Sequence, residues 1–403
     1  MRAGPYRALI VLSTAVLTAM GLGLCLLQTA PAEARSPTAP AVSGDPSLSA
    51  TQPYTLFLPV VMQPIGNTGP QGLQAGQPIG DNGEIFFTDT VASQIASAGA
   101  GWVRINFRLG AHFPDWTTPV SATTALSLYD SIVTTALNHN LKVLGLLSNE
   151  SWVGGLSDWQ ANNAEVAGGN GDNTFIQQFD TYAARVLMPH FAGKITEWEV
   201  WNEPNAGPTY VYPSNFAWLL RRAYLAARDN GITATLISGG LFSSNPYGST
   251  LLTSANTGAD YLTSTYTQGK LNASWDGLKS TYGSYPLDTI GQHIYIDWWA
   301  GLTTAARVEQ TASFVFNAYA AFEGVTTTKR INITEMGWGT DWVSESTQAT
   351  SLSTAYIKLK QLTYIERTYW FFLQDIPVAS LYYGLLREDG SAKPAWSSYQ
   401  QIH

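Results

Sequence analysis

From about residue 71 onward, short apolar runs alternate with longer stretches in which apolar residues recur at helical spacing. The runs are typical of strands buried on both faces, and the longer stretches are typical of amphipathic helices. The predicted strands span residues 72–77, 101–107, 141–147, 195–201, 234–242, 287–296, 330–336 and 368–374. The predicted helices span residues 86–99, 125–139, 173–188, 214–229, 258–281, 303–323 and 348–366, and a short last helix begins at Pro394.

This alternation predicts an α/β fold. Its eight strand-then-helix units match a (β/α)₈ barrel, the TIM barrel, in number and size. A doubly wound open sheet is the alternative, because a count of units does not show that the sheet closes. The longest irregular segments, residues 148–172, 243–257 and 337–347, follow the third, fifth and seventh strands. They lie on the carboxyl side of the strands, where barrel enzymes build their sites.

The N-terminus has the pattern of a secretory signal peptide over residues 1–34. Arg2 and Arg7 provide a positive start, residues 8–27 form an apolar run, and small residues follow up to a cleavage site after Ala34. A retained anchor helix is the alternative, because a run of this length just spans a bilayer. We expect cleavage, a secreted protein and no membrane span in the mature chain.

Residues 35–70 have the composition of an extended linker. They hold seven of the 20 prolines in the chain and, after Arg35, no lysine or arginine. The apolar patch at 54–61 inside this linker is either an edge strand on the domain or an attachment element. We therefore predict a signal peptide, a linker and a single catalytic domain over residues 71–403.

Charge and composition exclude several function classes. The 403 residues carry 21 Lys and Arg against 29 Asp and Glu, a formal net charge of −8 without a basic patch, which argues against nucleic acid as a partner. The single cysteine, Cys25, falls inside the predicted signal peptide, and the histidines lack metal-ligand spacing. Phosphate-loop, dinucleotide and serine-hydrolase motifs are absent from the sequence. We expect a monomer with no metal and no cofactor.

Two glutamates lie at the ends of predicted strands. The fourth strand continues into Asn202, Glu203 and Pro204, and the proline stops the strand, while the seventh strand delivers Glu335. The ends of strands four and seven face each other across a barrel mouth. Such a pair suits retaining glycoside hydrolysis, in which one acid protonates the leaving oxygen and one carboxylate attacks the anomeric carbon. Glu199 alternates in phase with Glu203, which predicts a buried structural carboxylate inside the barrel.

Three strings carry a resemblance to known enzymes: EVWNEPN at 199–205, ITEMGW at 333–338 and GLLREDGSAKPAW at 384–396. Together they resemble the clan A glycoside hydrolases, and most of all their families 39 and 5. The resemblance covers the predicted barrel and not the linker. It implies that Glu203 is the acid/base and Glu335 the nucleophile.

The resemblance implies further roles near these glutamates. Asn202 corresponds to an asparagine that hydrogen-bonds the sugar 2-hydroxyl, and a simple turn residue is the alternative. Arg104 corresponds to an arginine that lowers the pKa of the nucleophile, and an arginine paired only for stability is the alternative. Tyr295 would donate a hydrogen bond to Glu335, and His293 would lie near the sugar or the acid/base. Core packing is the alternative for both.

Aromatic and amide side chains complete the expected sugar contacts. Trp370 corresponds to a platform beneath the sugar, unless it lies in the joint between helix and strand. Asn106 and Asn149 stand near positions where families 39 and 5 carry histidines, so we expect these amides to contact the sugar. Five further tryptophans follow strand ends, where about half should stack on pyranose faces and the rest should be core. They are Trp152, Trp298, Trp299, Trp338 and Trp342.

The sequence thus predicts a secreted retaining glycoside hydrolase acting on polysaccharides or oligosaccharides of the β-glucan, xylan or mannan type. A transglycosylase on the same scaffold, a catalytically silent glycan-binding barrel and a structural surface protein are the alternatives. The sugar and its linkage, the choice between endo and exo cleavage, and the exact family stay open at this point.

Overall fold

The structure is a computed structural model that describes residues 71–79, 84–109, 119–152, 173–300, 303–324 and 330–402, except for the side chains of residues 119–125. The predicted signal peptide, the linker and its patch at 54–61 lie outside the described residues. Among the helices that are described, none combines the length and the apolar character needed to cross a bilayer.

Eight parallel strands form a closed barrel in chain order. The first strand pairs with the second through Gly72 and Trp102 and with the eighth through Gly72 and Tyr369, which closes the sheet. The strands are β1 (Gly72–Gln74), β2 (Trp102–Asn106), β3 (Lys142–Leu147), β4 (Glu197–Asn202), β5 (Thr235–Ser243), β6 (Ile290–Ile294), β7 (Ile331–Met336) and β8 (Ile365–Phe371). The predicted TIM barrel is confirmed, and the open doubly wound sheet is excluded.

Helices follow the strands and cover the barrel. They are α1 (Asp89–Ser97), α2 (Pro119–Asn138), α3 (Thr174–Gln178), α4 (Arg185–His190), α5 (Pro213–Asp229), α6 (Ala259–Asn272), α7 (Trp275–Tyr282), α8 (Ala305–Glu323), α9 (Glu345–Gln361) and α10 (Pro394–Gln400). A π-helical turn (Phe179–Ala184) joins α3 to α4, and short 3₁₀ turns lie at Gly207–Thr209 and Pro377–Ala379.

The helices begin where the sequence supplies N-terminal caps. The hydroxyls of Thr88, Thr304 and Ser344 each accept a hydrogen bond from the backbone N–H three residues on, which satisfies a donor that the first helical turn leaves free. Pro213 and Pro394 occupy the first position of α5 and α10, where a proline loses no helical hydrogen bond.

Three of the differences from the predicted boundaries have clear local reasons. β1 is shorter than predicted because Gly76, at φ 100°, turns the chain away from the sheet. The helical region predicted over 258–281 is two helices, because Ser274 adopts a left-handed φ of 53° between them. β8 begins at Ile365, before its predicted start, because Ile365 already pairs with Ile331 of β7.

The barrel interior carries ion pairs at two levels. On β4, Glu197 and Glu199 point inward together, because alternate residues of a strand share a face. At the lower level, Arg367 pairs with Glu197 at 2.7 Å and lies 3.7 Å from the ring centroid of Trp102. At the upper level, Glu199 pairs with Arg104 at 2.5 Å. The upper level is continuous with the mouth of the barrel.

Candidate active site

Glu203 lies at the mouth because the chain leaves β4 in an uncommon conformation. Trp201 and Glu203 have φ values of 77° and 43°, in the left-handed region that non-glycine residues rarely adopt. The indole of Trp201 donates a 2.8 Å hydrogen bond to the carbonyl of Thr209, whose hydroxyl donates to the carbonyl of Glu203 at 3.2 Å. Such residues cost about 1–3 kcal/mol each and persist where surrounding contacts hold them, often at functional sites.

Glu335 lies near the end of β7 and faces Glu203. It is buried, and its two carboxylate oxygens accept hydrogen bonds of 2.6 Å, one from Arg104 Nη1 and one from the Tyr295 hydroxyl. His293 Nδ1 lies 2.9 Å from Glu203 Oε1 and 3.4 Å from Glu335 Oε2. A single imidazole nitrogen therefore lies between the two carboxylates.

Arg104 on β2 contacts residues of three other strands, β1, β4 and β7, beneath this pair; on β1, Gln74 Oε1 accepts a hydrogen bond of 3.1 Å from Nη1. Besides its contact with Glu335, its Nε pairs with Glu199 and its Nη2 donates a 3.0 Å hydrogen bond to Asn202 Oδ1. Glu199 is fully buried, as the alternation along β4 predicts, and also accepts a 2.7 Å hydrogen bond from the Thr334 hydroxyl. The guanidinium thus fixes both the Glu335 carboxylate and the Asn202 amide.

His293 fits the barrel only because Gly240 has no side chain. A Cβ at Gly240 would lie 2.0 Å from His293 Nε2. This nitrogen is buried without a hydrogen-bond partner in the described part of the chain, and Glu199 Oε1 lies 3.9 Å from it. The glycine in β5 therefore lets the ring approach closely enough for its other nitrogen to reach Glu203.

Burial and charge act in opposite directions on these groups. Burial raises the pKa of Glu335 above its ordinary value, although the positive charges of His293 and Arg104 lower it. The expected lowering of the Glu335 pKa by Arg104 is present, and burial outweighs it in the net shift. Burial lowers the pKa of His293, but the carboxylates of Glu335 and Glu203 outweigh burial and raise it. Burial and Glu335 hold the pKa of Tyr295 well above its usual range, so its hydroxyl stays a donor.

Glu203, His293 and Glu335 also offer a set of metal-ligand atoms. One nitrogen and two carboxylate oxygens of these residues lie within 4.8 Å of one another. The guanidinium of Arg104 lies 2.6 Å from Glu335, so its positive charge opposes a cation at this place. The arrangement therefore suits proton transfer and nucleophilic attack better than metal binding.

The two predicted amides lie beside this network. Asn106 donates a 2.7 Å hydrogen bond to Glu150 Oε2 and accepts one of 3.0 Å from the Ser148 hydroxyl. Asn149 is buried after the end of β3. Within the described residues, neither amide hydrogen-bonds to Glu203 or Glu335. Their contacts with a sugar stay predictions.

The structure contradicts the predicted stacking roles of Trp338 and Trp370. Both side chains are fully buried, and their indoles donate 2.9 Å hydrogen bonds to the carbonyls of Ile296 and Tyr383. A ring without exposed surface offers no face to a sugar. The physical reason for Trp370 is the phase of β8, in which Phe371 and not Trp370 points to the same side as the inward-facing residues of the strand.

The sequence reasoning missed two aromatic residues at the mouth, Phe371 and Tyr383. Their ring centroids lie 5.9 and 5.8 Å from that of Tyr295. Phe371 follows Arg367 and Tyr369 at a spacing of two, and this alternation in the sequence was the available signal. Tyr383 belongs to a loop, where no periodic pattern marks it.

The tail string has a structural role next to these rings. Lys393 is buried, and its Nζ donates hydrogen bonds of 2.8 Å to Asp375 Oδ1 and 2.9 Å to the Thr340 hydroxyl. It also donates to the carbonyl of Tyr382 at 3.2 Å. The lysine therefore ties the loop after β7 to the loop after β8, just before Tyr383.

Comparison with known proteins identifies the architecture. No family model and no curated protein matches the sequence. Among solved structures, a family 39 glycoside hydrolase from the gut symbiont Bacteroides cellulosilyticus WH2 is similar with a TM-score of 0.53 and 17% identity, over 82% of this chain and 62% of that one. A family 5 xyloglucanase from Paenibacillus pabuli in complex with ligand has a TM-score of 0.56 and 15% identity, over 83% and 98% of the two chains.

A third similar structure is an exo-beta-1,4-mannosidase from Opitutaceae bacterium strain TAV5, with a TM-score of 0.55 and 15% identity over 83% of this chain and 58% of that one. The chain thus spans less than two thirds of the length of two of these three proteins. At such identities the likeness establishes the fold. The similarity to the family 39 and family 5 structures therefore holds for the barrel fold.

Proposed function

We propose that the protein is a retaining glycoside hydrolase that acts on β-linked glycans. The observation that carries the proposal is the spacing of the two carboxylates, since an oxygen of Glu203 and an oxygen of Glu335 lie within 4.8 Å of each other. Retaining enzymes hold their carboxyl groups about 5–5.5 Å apart, whereas inverting enzymes need about 6.5–9.5 Å to admit a water molecule. The spacing supports direct attack by one carboxylate.

The contacts divide the roles between the two glutamates. Glu335 is held by Arg104 and Tyr295, which stabilise its ionised form, so it is the nucleophile that bonds to the anomeric carbon. Glu203 is the more exposed of the two and gives its proton to the leaving oxygen. In the second step, Glu203 takes a proton from water, and the hydroxyl displaces Glu335 from the sugar.

Two neighbours orient this reaction. His293 Nδ1 lies within hydrogen-bond distance of Glu203 and fixes the direction of its carboxyl group. Arg104 occupies the oxygen of the Asn202 amide, so the amide nitrogen is left to donate to a sugar hydroxyl. A hydrogen bond to the 2-hydroxyl that tightens in the transition state would contribute to the rate.

The substrate class rests on the similar structures. They include a xyloglucanase and an exo-beta-1,4-mannosidase, so we propose β-glucan, mannan or a related β-linked glycan as the substrate. We also propose that the protein is secreted, on the basis of the pattern in residues 1–34. N-terminal sequencing of protein from the culture medium tests the export. Cleavage after Ala34 predicts a mature protein that begins with Arg35 and Ser36.

The decisive experiment is hydrolysis of aryl β-glycosides, β-glucan, xylan and mannan by the mature protein and by Glu335→Ala. We expect turnover of one substrate by the wild type, none by the variant, and rescue of the variant by azide with an α-glycosyl azide as product. Glu388→Ala, at an exposed loop position, is the matched control and should behave as wild type.

Two results would overturn the proposal. Glycan binding without turnover by the wild type would mean a binding barrel. NMR can follow the anomeric configuration of the first sugar product. If that configuration is inverted relative to the substrate, Glu335 does not attack the sugar. Transfer of the sugar to added oligosaccharide in preference to water would instead identify a transglycosylase.

A further inference from the structure

Four aromatic side chains form one cluster on the carboxyl-end rim of the barrel, which we call the rim cluster: Tyr247, Trp298, Trp299 and Trp342. Tyr247 follows β5, the tryptophan pair follows β6, and Trp342 follows β7. The ring centroid of Trp298 lies 4.8 Å from that of Trp342, and Tyr247 lies 6.0 Å from Trp298. Tyr247 is 70% exposed and Trp342 is 50% exposed, so the cluster presents ring faces to solvent.

Covalent geometry places the rim cluster close to the glutamate pair. Trp298 is three residues after Tyr295, whose hydroxyl bonds to Glu335, so the two Cα atoms are at most about 11 Å apart. Tyr247 is four residues after the end of β5, the strand between those of Glu203 and His293. Both separations along the chain are short enough for an oligosaccharide bound at the glutamates to extend toward the cluster.

The position relative to the pair indicates which part of a glycan meets the cluster. Arg104 on β2 and Phe371 on β8 lie on the β1 side of the line from Glu203 to Glu335. Asn202, whose amide we expect to bind the attacked sugar, is held from that side by Arg104, so we assign the attacked sugar to the same side. The part that leaves with the proton of Glu203 extends to the opposite side, over β5 and β6, where the rim cluster lies.

A strained turn holds the tryptophan pair in place. Asp297, immediately before it, is buried and has a left-handed φ of 55°. Its carboxylate is bound by Arg307 through Nε at 2.5 Å and Nη2 at 2.7 Å, and by Asn245 Nδ2 at 2.9 Å. The Asp297 N–H donates to Asn245 Oδ1 at 2.9 Å. Non-glycine residues persist in this conformation where their surroundings hold them, and they recur at ligand clamps.

The same arginine fixes the neighbouring loop. Arg307 Nη1 donates a 2.7 Å hydrogen bond to the carbonyl of Thr250, and Asn245 Nδ2 donates one of 2.7 Å to the carbonyl of Ser249. Tyr247 lies between these anchor points in the chain. The buried polar network thus keeps exposed aromatic rings in fixed positions, and a site that is ordered before binding loses less entropy when a ligand binds.

We infer that the rim cluster is a binding platform for the leaving-group part of a glycan chain. This inference rests on the proposed function and extends it, because it makes the substrate an oligosaccharide or polysaccharide with several sugar units beyond the cleaved bond. Flat aromatic faces stack on the C–H faces of pyranose rings, and the neutral rings select an uncharged chain. Asp297 and Arg307 are positioning residues for this platform.

The test compares a short and a long substrate in Trp342→Ala and Tyr247→Ala. The short substrate is an aryl β-monoglycoside, and the long one is a hexasaccharide of the same sugar. We expect the ratio of kcat/KM for the hexasaccharide to that for the monoglycoside to fall about 10-fold in Trp342→Ala, mainly through KM. Tyr282→Ala is the matched control, since Tyr282 is 43% exposed at the end of α7, and its ratio should equal that of the wild type.

Direct binding separates this inference from the proposed function. The hexasaccharide affinity of Glu335→Ala is measured by titration calorimetry with and without Trp342→Ala, and we expect about a 10-fold loss. An unchanged ratio and an unchanged affinity in both rim variants would overturn the inference while leaving hydrolysis intact. Loss of hydrolysis in Glu335→Ala together with a wild-type kcat/KM ratio in both rim variants would support the hydrolase and not the platform.

Arg307→Lys tests the positioning role. Lysine keeps the charge but does not make the two-point contact with the Asp297 carboxylate. We expect a smaller fall in the same kcat/KM ratio, again through KM, with the pH profile on the monoglycoside unchanged. If a folded Arg307→Lys protein has the wild-type ratio of the two kcat/KM values, the contact between Arg307 and Asp297 does not position the platform.

Discussion

Removal of one hydroxyl, in Tyr295→Phe, should move the acid limb of the pH profile. The Tyr295 hydroxyl donates a 2.6 Å hydrogen bond to Glu335 Oε2 and stabilises the ionised carboxylate. A hydrogen bond to a charged group contributes about 1.5–3 kcal/mol, and about 1.4 kcal/mol corresponds to one pKa unit. Loss of the bond should therefore raise the pKa of Glu335 further above its ordinary value.

The direction of the change follows from the role of Glu335. In the proposed mechanism, activity requires the ionised form of Glu335. Burial already raises the pKa of Glu335 above its ordinary value, so activity should be lost as the pH falls through this raised pKa. In Tyr295→Phe the loss begins at a higher pH. The ring stays, so its packing against Phe371 and Phe242, with centroids at 5.9 Å, is kept.

The assay is kcat/KM against pH with an aryl β-glycoside. Tyr266→Phe is a matched control, because its hydroxyl donates a 2.9 Å hydrogen bond to Glu323 between helices α6 and α8, away from the mouth. The control should keep the wild-type acid limb. An acid limb that stays in place in Tyr295→Phe, whatever happens to the plateau, would refute the assignment of Glu335 as the group that must be ionised.

Two further predictions concern stability and the aromatic residues of β8. Arg104→Met leaves Glu199 and Glu335 buried without their counter-charge, so the free energy of unfolding should fall by about 3–5 kcal/mol in chemical denaturation. A loss below about 1 kcal/mol would show that the pair is not buried in solution. Trp370→Ala should lower the free energy of unfolding by about 3–5 kcal/mol because it leaves a cavity, whereas Phe371→Ala should lower both the free energy of unfolding and kcat/KM. A loss of kcat/KM in Trp370→Ala and not in Phe371→Ala would restore Trp370 as the sugar platform.

Much of this architecture follows from strand patterns alone. Glu203 follows β4 and Glu335 lies near the end of β7; both strands have apolar runs long enough to locate, and the parallel barrel brings the strand ends to one rim. Inward orientation of Glu199 follows from its spacing to Glu203 in the same way. These residues could be placed because side chains alternate regularly between the two faces along a strand, so the orientation of one residue predicts that of the others.

The errors arise where phase or distance is not local. β8 begins three residues earlier than predicted, and Trp370 was assigned to the wrong face, since a shift of one residue exchanges the two faces of a strand. Burial raises the pKa of Glu335, and the residues next to Glu335 in the sequence do not reveal how deeply the folded chain buries it. Asn245 is 52 residues and Arg307 is 10 residues from Asp297 in the chain. No short sequence motif therefore predicts the hydrogen bonds that hold Asp297 beneath the rim cluster.

Arg104 has a consequence for how this protein becomes active. Its partner Glu335 is 231 residues away in the chain, and Glu199 is 95 residues away. An incomplete chain that has formed only β1 to β4 already holds Arg104 and Glu199 but lacks Glu335, the proposed nucleophile. Contacts between such distant segments form late in folding, because the intervening chain must first be ordered. Under the proposed mechanism, specific activity should therefore measure the fraction of chains whose barrel has closed. A nascent or nicked chain that has lost β7 should be inactive even if most of its helices are in place.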